Sequence, residues 1–162
     1  RMELIDEGQS FAVIVDYAYE PAALSALYES VKLIAHKRKI HVVGSAGGGR
    51  DVARREILGA LCAKNDDIVI VTNEDPYDDD PQMIIDPIVD SAIIHGKKEG
   101  INLFRVLDRM EAIKLAIQLA DVGDLVLITG KGSEPVMAVA DGKKIPWDDR
   151  VAVRNALHLR VK

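Results

Sequence analysis

The chain has 162 residues, of which 48% are hydrophobic and 29% charged, and its formal net charge is −5. This composition is typical of one folded domain and excludes a disordered chain, and an acidic balance without a basic stripe argues against a nucleic-acid partner. No apolar run reaches membrane-spanning length, so we expect no membrane partner and a cytoplasmic location. The single cysteine, Cys62, excludes an internal disulfide, and its apolar neighbours predict a small core residue.

Five short apolar runs rich in β-branched residues predict strands that are covered on both faces. They span residues 11–15, 40–43, 68–71, 103–106 and 125–128. Segments with helical spacing lie between them, at residues 21–35, 51–64, 81–95, 109–120 and 149–159. Pro21 can occupy a first helical turn, Asp80 and Asp108 are good N-caps, and we expect the second helix to begin at Asp51.

The alternation of strands and helices predicts an α/β, Rossmann-like domain of three layers. We expect a mostly parallel sheet of about six strands, and the Asp141-Gly142 pair predicts an antiparallel hairpin at its edge. In such sheets, ligands bind at the carboxyl ends of the strands, so the loops that follow each apolar run are the candidate site.

The loop after the first predicted strand begins with Asp16, in D-Y-A-Y-E-P. A carboxylate there can accept hydrogen bonds from a ribose hydroxyl or bind a cation; alternatively, Asp16 caps the turn. The loop after the second strand, residues 44–51, reads G-S-A-G-G-G-R-D and is the glycine loop. Its bare N–H groups and Arg50 suit an anion, although a flexible tight turn would use the same residues.

The acidic loop, residues 72–81, reads T-N-E-D-P-Y-D-D-D-P and follows the third predicted strand. It could be a solvated turn, a metal site or a binding site for a cationic ligand. Asp80-Pro81 is most simply a helix start, with Asp78 and Asp79 near the positive end of the helix dipole. Glu74 and Asp75 instead leave the strand directly, where a ligand would lie.

The loop after the fifth predicted strand, T-G-K-G-S-E-P, is not a phosphate-binding P-loop, because its lysine is followed by glycine. Its backbone amides and Glu134 could still contact a ligand. A Ser-His-Asp hydrolase is excluded because no G-x-S-x-G motif is present. His and Cys are too sparse to predict a metal site, and acids alone would give a weak one.

Taken in order, these loops resemble the C-terminal domain of the Mur ligases, most closely the members that add the third residue of the peptidoglycan stem peptide. The resemblance covers essentially the whole chain. Its motifs are D-Y-A-Y-E-P for the family's D-Y-A-H-x-P, G-G-G-R-D for G-G-D-R-D, the acidic loop for the D-N-P-R signature, D-R-M-E-A-I, G-K-G-S-E for G-K-G-H-E, and W-D-D-R for F-D-D-R.

The resemblance implies ATP-dependent amide-bond synthesis, in which ATP phosphorylates a carboxylate of a UDP-N-acetylmuramoyl-dipeptide and an amino acid attacks it. In this family the ATP and Mg²⁺ sites belong to a central ATPase domain, and an N-terminal domain holds the UDP-sugar. We expect both domains to lie outside this chain, which would be the amino-acid-binding lid and would need no cofactor of its own. The lid would align the amine with the acyl phosphate.

Carried over by position, the amino-acid site would comprise Arg50 as the carboxylate-binding group, with Gly130 and Glu134 completing it. The selectivity signature falls on Glu74, Asp75, Pro76 and Tyr77, and Asp16 with Tyr19 would face the nucleotide. No catalytic group and no metal ligand is expected in this domain.

Two departures from the signature bear on the substrate. Tyr77 replaces the arginine that recognises the distal carboxylate in diaminopimelate-adding members, and Asp75 replaces an asparagine. A phenol cannot make a bidentate charge-assisted contact, and both changes make the site more acidic. We therefore expect lysine or ornithine rather than meso-diaminopimelate. The alternative functions are a free-standing, non-catalytic module that binds an amino acid, a nucleotide or a partner, and a structural fragment without ligand affinity.

Overall fold

The computed structural model describes residues 2–50 and 52–160. Its main sheet has six strands in the order β1-β2-β6-β3-β4-β5. The strands are β1 (Glu3–Ile5), β2 (Ala12–Asp16), β3 (Lys39–Val43), β4 (Ile68–Val71), β5 (Leu103–Arg105) and β6 (Leu125–Thr129). All neighbouring pairs are parallel except β1–β2. The predicted three-layer α/β fold with a mostly parallel sheet is confirmed.

Five helices cover the two faces of the sheet. They are α1 (Pro21–Val31), α2 (Ala53–Asn65), α3 (Pro81–Ile94), α4 (Arg109–Leu119) and α5 (Asp149–Arg160). The Asp80 side chain accepts from the Gln82 N–H and that of Asp108 from the Glu111 N–H, as expected of N-caps. The expected helix start at Asp51 lies outside the described residues.

The apolar runs form two separate cores, one on each face of the sheet. One core packs α4 and α5 against side chains such as Val13, Val42 and Val126. The other packs α1, α2 and α3 against the opposite face, through Ile14, Val69 and Leu127. Burial on both faces explains why these strands are continuous apolar runs. In the described residues, no helix combines the length and apolar composition needed to cross a bilayer.

The antiparallel hairpin lies apart from the main sheet, whereas the sequence predicted it at the edge of that sheet. The predicted hairpin forms, as β7 (Val136–Ala138) and β8 (Lys144–Pro146), but it is a separate two-stranded sheet. The antiparallel edge of the main sheet is β1 instead. The hairpin is held above the sheet because Ala138 exchanges hydrogen bonds with the acidic loop: its N–H donates to Asp75 Oδ1 and its carbonyl accepts from the Tyr77 N–H.

A buried ion pair joins the two helices of one face to the carboxyl ends of two strands. Arg109 donates from Nε and Nη2 to the two carboxylate oxygens of Asp149, at 2.8 and 2.7 Å, and both side chains are fully buried. Arg109 also donates to the carbonyls of Thr129 (2.8 Å) and Asn73 (3.3 Å). The pair therefore connects α4 and α5 to the segments that follow β4 and β6.

Replacing Arg109 by methionine should lower the free energy of unfolding by about 3–5 kcal/mol, because it leaves the Asp149 carboxylate buried without a cation. The double variant R109M/D149N should lose clearly less than R109M, since it removes the buried charge as well. Urea unfolding measures both. The control is Arg150→Met, which breaks the more exposed pair with Asp148 and should cost much less, because a solvent-accessible ion pair contributes little to stability. Equal losses for R109M and R150M would contradict the prediction.

Candidate functional site

The loops at the carboxyl edge of the sheet converge on one polar cavity of about 80 Å³, the carboxyl-edge cavity. It collects most of the site residues expected from the sequence; Asp16 and Pro76 are the two that do not line it. Its lining residues are Tyr17, Tyr19, Ala46, Arg50, Arg54, Glu74, Asp75, Tyr77, Gly130 and Glu134.

Larger apolar grooves lie on the helices, such as one of about 580 Å³ between α2 and α3 and one of about 410 Å³ beside α5. Most of their surface is apolar, as at Ile57, Ile94 and Trp147, although Glu56 and Asp90 also line the first groove. The carboxyl-edge cavity is smaller but brings together guanidinium, carboxylate and phenol groups at the position where α/β sheets bind ligands. It is therefore the candidate site.

A buried lysine organises the acidic side of the cavity. Lys131 is 1% exposed, and its ammonium lies 2.8 Å from both Asp75 carboxylate oxygens and 2.6 Å from Glu134 Oε2. Burial works to lower the pKa of Lys131, but the hydrogen bonds to Asp75 and Glu134 raise it overall. The negative charge of Asp75 is thus neutralised inside the protein, and Asp75 does not act as a free acid toward a ligand.

Glu134 is held from two sides. Its Oε2 accepts from Lys131, and its Oε1 accepts from the Tyr17 hydroxyl at 2.9 Å. Partial burial works to raise the pKa of Glu134, but these hydrogen bonds lower it overall. The same contact raises the pKa of Tyr17 to about 12. Glu134 is therefore an ionised carboxylate with a fixed orientation at the cavity wall.

Glu74 is the unusual acid of the cavity. It is 4% exposed, and its Oε2 is buried without a hydrogen-bond partner among the described residues. Burial raises its pKa to about 7, against a lowering by the charges of Arg109 and Lys131. A Cβ at Gly130 would come within 2.3 Å of Glu74 Oε2. Glu74 thus offers a carboxyl group that can take up or release a proton near neutral pH.

Two arginines form the basic side. Arg50 is exposed, and its Nη2 lies 3.4 Å from the Tyr77 hydroxyl oxygen. Arg54 is 7% exposed, its guanidinium lies 5.5 Å from the centre of the Tyr19 ring, and its Nε is buried without a hydrogen-bond partner among the described residues. Both guanidinium groups therefore retain N–H donors for an anionic group of a ligand.

The cavity is balanced in charge, which differs from the acidic site expected from the sequence. Arg50, Arg54 and Lys131 oppose Glu74, Asp75 and Glu134, so three positive groups face three negative ones when Glu74 is ionised. Protonation of Glu74 leaves one net positive charge. The prediction of an acidic site took account of Asp75 but not of Lys131, the buried lysine that pairs with it.

The glycine loop holds the acidic loop, and it is not the bare anion-binding turn expected from the sequence. The Gly47 N–H donates to the Asp75 carbonyl (2.7 Å), and the Gly48 N–H donates to Asp79 Oδ2 (3.0 Å). Gly48 has a φ of +67°, and a Cβ there would lie 2.9 Å from the Tyr77 ring. Only a glycine combines this backbone with so close a ring.

The remaining expected residues have structural contacts. Asp78 accepts from the Asp141 N–H of the hairpin, so all three acids before α3 have partners inside the protein. Pro76 lies beneath the glycine loop, with its carbonyl accepting from the Asp79 N–H. Asp16 accepts from the Ala18 N–H at 2.8 Å and so caps the turn after β2. Its nucleotide-facing role stays a prediction.

Sequence reasoning missed four residues of the cavity region: Tyr17, Ala46, Arg54 and Lys131. Tyr17 and Lys131 stand inside the motifs that carry the family resemblance, and Arg54 lies three residues after one of them, so their position was a usable signal. Lys131 is missing from the predicted site because the pair Gly130-Lys131 was interpreted only as a possible P-loop. Its partner Asp75 is distant in sequence, and no local spacing relates them.

Comparison with known proteins agrees with the fold and the loops. The sequence profile of the family described as Mur ligase, glutamate ligase domain, matches residues 1–132. The chain is 40% identical over 162 residues to a UDP-N-acetylmuramoyl-L-alanyl-D-glutamate–2,6-diaminopimelate ligase of Syntrophomonas wolfei, covering 100% of this chain and 32% of that protein. It is 39% identical over 157 residues to a UDP-N-acetylmuramyl-tripeptide synthetase of Borreliella burgdorferi, covering 97% of this chain and 30% of that protein.

A solved structure agrees as well. The structure of a UDP-N-acetylmuramoyl-L-alanyl-D-glutamate–2,6-diaminopimelate ligase superposes with a TM-score of 0.86 at 30% identity, over 100% of this chain and 32% of that one. The chain thus spans about a third of the length of the proteins it matches. Relatives with two different names are equally similar, so identity alone does not indicate which amino acid is bound.

Gly130→Ala should destabilise the fold by at least about 2 kcal/mol, because an added Cβ meets the Glu74 carboxylate in a backbone with φ of +107°. The control is Gly96→Ala, which has a φ of +99° but open space around it. Gly96→Ala measures the backbone strain alone, so its cost should be clearly smaller. Urea unfolding of both variants gives the difference, and equal costs would show that the contact with Glu74 is unimportant.

Glu74→Gln should make stability less dependent on pH. The pKa of Glu74 is about 7 in the folded protein and 4.5 ordinarily. The free energy of unfolding of the wild type is therefore highest, as far as this group is concerned, below about pH 4.5, and it falls as the pH rises to 7. Above pH 7 the variant should therefore be more stable by on the order of 3 kcal/mol, with little difference at pH 4. Thermal or urea unfolding at both pH values tests this, with the exposed Glu20→Gln as the control. A stability change that is the same at pH 4 and pH 8 would contradict it.

Proposed function

The chain belongs to the Mur ligase family, in which it corresponds to the glutamate ligase domain, and from that membership we propose that it is the C-terminal domain of an ATP-dependent, amide-bond-forming ligase of peptidoglycan precursor synthesis. Its role is to hold the incoming amino acid. The parent enzyme would act in the cytoplasm on a UDP-N-acetylmuramoyl-dipeptide. ATP and Mg²⁺ would be bound by its central domain, over which this domain closes.

The observation that carries the proposal is the separation of charge across the carboxyl-edge cavity. Arg50 and Arg54 present unused N–H donors on one side, and Glu74 and Glu134 present carboxylates on the other. A free amino acid has the complementary arrangement, a carboxylate and an ammonium group. We infer that its carboxylate lies against the arginines, where a planar guanidinium can make two parallel hydrogen bonds, and that an ammonium group lies toward Glu74 and Glu134.

The size of the cavity supports the role of a lid. About 80 Å³ is well below the roughly 300–1,000 Å³ of a complete small-molecule site. A cavity of this size receives part of an amino acid, and the surface of another domain would complete the site on closure. Tyr19 lines the cavity and Asp16 ends β2 beside it, so both stay candidates for contact with the nucleotide across the closed interface.

In the reaction, the amine nitrogen attacks the carbonyl carbon of an acyl phosphate, a tetrahedral intermediate forms, and inorganic phosphate leaves as the amide is completed. The attacking amine must first lose a proton, which a group of the parent enzyme outside this domain would take up, since the Glu74 carboxyl group is assigned to the cationic side chain of the amino acid. The residues of the cavity orient the amino acid, which raises the rate by alignment of the reacting atoms.

We further propose that the added residue is lysine or ornithine rather than meso-diaminopimelate. Tyr77 stands at the cavity wall where an arginine would be needed to grip a distal carboxylate, and it presents a neutral phenol. Because Lys131 neutralises Asp75, the group that selects a cationic side chain is Glu74, which lacks a cation within hydrogen-bond distance among the described residues. The substrate preference therefore rests on Tyr77 and Glu74.

The test is amino-acid-dependent ATP hydrolysis by the full-length ligase that contains this chain, with lysine, ornithine and meso-diaminopimelate compared by kcat/KM. The wild type should prefer lysine or ornithine. Tyr77→Arg should raise the ratio of diaminopimelate to lysine about tenfold, equivalent to about 1.4 kcal/mol. Tyr77→Phe, which keeps the ring but adds no donor, should leave the ratio unchanged.

Two results would overturn parts of this proposal separately. A wild type that prefers diaminopimelate and loses the preference in Arg54→Gln would assign the distal carboxylate to Arg54 and refute the role given to Tyr77. ATP hydrolysis that does not depend on any amino acid, together with an unaffected Arg50→Ala variant, would refute the amino-acid site itself. A non-catalytic domain that binds another ligand or a partner, or a structural domain without ligand affinity, would then be the remaining function.

A further inference from the structure

Four buried polar side chains meet in the layer between β3 and the helices α1 and α2. They form the His41 cluster, which consists of Tyr28 on α1, His41 on β3, Cys62 on α2, and Asp66, which ends α2. None is more than 4% exposed. One ligand atom each from His41, Cys62 and Asp66 lies within 4.8 Å of the others. The cluster lies on the far side of the sheet from the Arg109–Asp149 pair.

The atoms of the cluster lie close enough together to surround one ion, and only the contacts with the sulfur already have the spacing of metal ligands. His41 Nδ1 lies 2.9 Å from Asp66 Oδ2, 3.7 Å from Cys62 Sγ and 3.0 Å from the Tyr28 hydroxyl oxygen. That hydroxyl oxygen lies 3.5 Å from Cys62 Sγ. Ligand atoms around one tetrahedral zinc ion, at their usual bond lengths, are roughly 3.3–3.8 Å apart. The Tyr28 and Asp66 oxygens are hydrogen-bonded to each other and to His41 Nδ1, so both would have to move apart and outward to make room for the ion.

The second nitrogen of His41 is already oriented. Nε2 lies 2.9 Å from Thr129 Oγ1, which leaves Nδ1 facing the cluster. A histidine that binds a metal commonly has its other ring nitrogen fixed in this way by a neighbouring polar group. With a metal on Nδ1, the ring proton is on Nε2 and is donated to Thr129. Without a metal, the contact of Nδ1 with the Asp66 carboxylate is a hydrogen bond when Nδ1 carries the ring proton, so the two states are distinguished by the tautomer of His41.

One atom of the cluster is unexplained by hydrogen bonding. Asp66 Oδ1 is buried and has no hydrogen-bond partner among the described residues, although Oδ2 is shared by Tyr28 and His41. An ionised carboxylate in such a place is costly unless a cation compensates it, and the neighbouring Lys97 ammonium donates to the Asp66 carbonyl and not to its carboxylate. Burial also raises the pKa of the Cys62 thiol well above its usual value, so the binding of a metal would release the thiol proton to solvent.

We propose that the His41 cluster is a structural zinc site with His41 Nδ1, Cys62 Sγ, an oxygen of Asp66 and the Tyr28 hydroxyl oxygen as its four ligands. A nitrogen, a sulfur and oxygen atoms in a closed, buried set suit Zn²⁺. With a thiolate and a carboxylate the ion is neutralised. The site would tie α1 and α2 to β3 and would hold Thr129, which directly precedes Gly130 of the carboxyl-edge cavity. This site was not predicted from the sequence, because histidine and cysteine are sparse in it.

The experiment uses the 162-residue chain, unfolded in urea with a reductant and refolded with ZnCl₂ or with a chelator, because the buried site is accessible during folding. Elemental analysis after gel filtration should find about one zinc per chain in the first sample. The thermal midpoint should be higher than in the chelator sample. Refolding with CoCl₂ should produce a thiolate-to-cobalt charge-transfer absorption. In the zinc sample, ¹⁵N NMR should show His41 protonated at Nε2.

Cys62→Ala should lower the zinc content at least tenfold and abolish the cobalt absorption, and the exposed His158→Gln is the matched control that should change neither. If Cys62→Ala fails to fold, the cobalt absorption and the His41 tautomer of the wild type decide the question. A wild type refolded with zinc that contains less than a tenth of an equivalent overturns the proposal. So does a His41 protonated at Nδ1 in that sample, which would identify a network held by hydrogen bonds alone.

Discussion

The arrangement of the carboxyl-edge cavity depends on the buried guanidinium of Arg109. Besides its pair with Asp149, this group binds the carbonyls of Asn73 and Thr129, and the residues that follow those carbonyls are Glu74 and Gly130. One planar side chain therefore sets the separation between the acidic loop and the end of β6. Glu74 is placed so close to Gly130 that a Cβ would not fit there. Arg109 therefore sets the position of this wall of the cavity, although it does not line the cavity itself.

A second set of contacts determines which charges remain for a ligand. Lys131 and the hairpin N–H of Ala138 occupy the carboxylate of Asp75, and the glycine loop occupies the carbonyl of the same residue. Glu134 is oriented by Lys131 and Tyr17. What is left for a ligand is the buried carboxyl group of Glu74 and the oriented carboxylate of Glu134, opposite two guanidinium groups. This residual pattern, rather than the number of acids in the loop, carries the proposal of an amino-acid site.

The two faces of the sheet place ionisable groups differently. On the face of α4 and α5, the buried charges form a complete pair, and Arg109 also bonds two backbone carbonyls. On the face of α1 and α2, one carboxylate oxygen of the His41 cluster has no partner within residues 2–50 and 52–160. Both sets reach Thr129, the first through its carbonyl and the second through its hydroxyl. Thr129 is thus hydrogen-bonded to a buried side chain on each side of the sheet. Because Gly130 of the carboxyl-edge cavity directly follows it, these contacts connect the core of the domain to the cavity.

The sequence by itself determined the order of strands and helices along the chain, because periodicity and capping act within a few residues: Pro21, Asp80 and Asp108 begin helices where their chemistry requires. It also placed the candidate site at the loops after the strands, and the motifs supplied seven of the ten residues that line the cavity. The tertiary structure decided what those residues do. Asp75 meets Lys131, Gly47 and Gly48 meet the acidic loop, and His41 meets Cys62 and Asp66, because the strand order β2-β6-β3-β4 brings distant segments together. Local spacing carries no record of that order, so pairing and charge balance followed only from the fold.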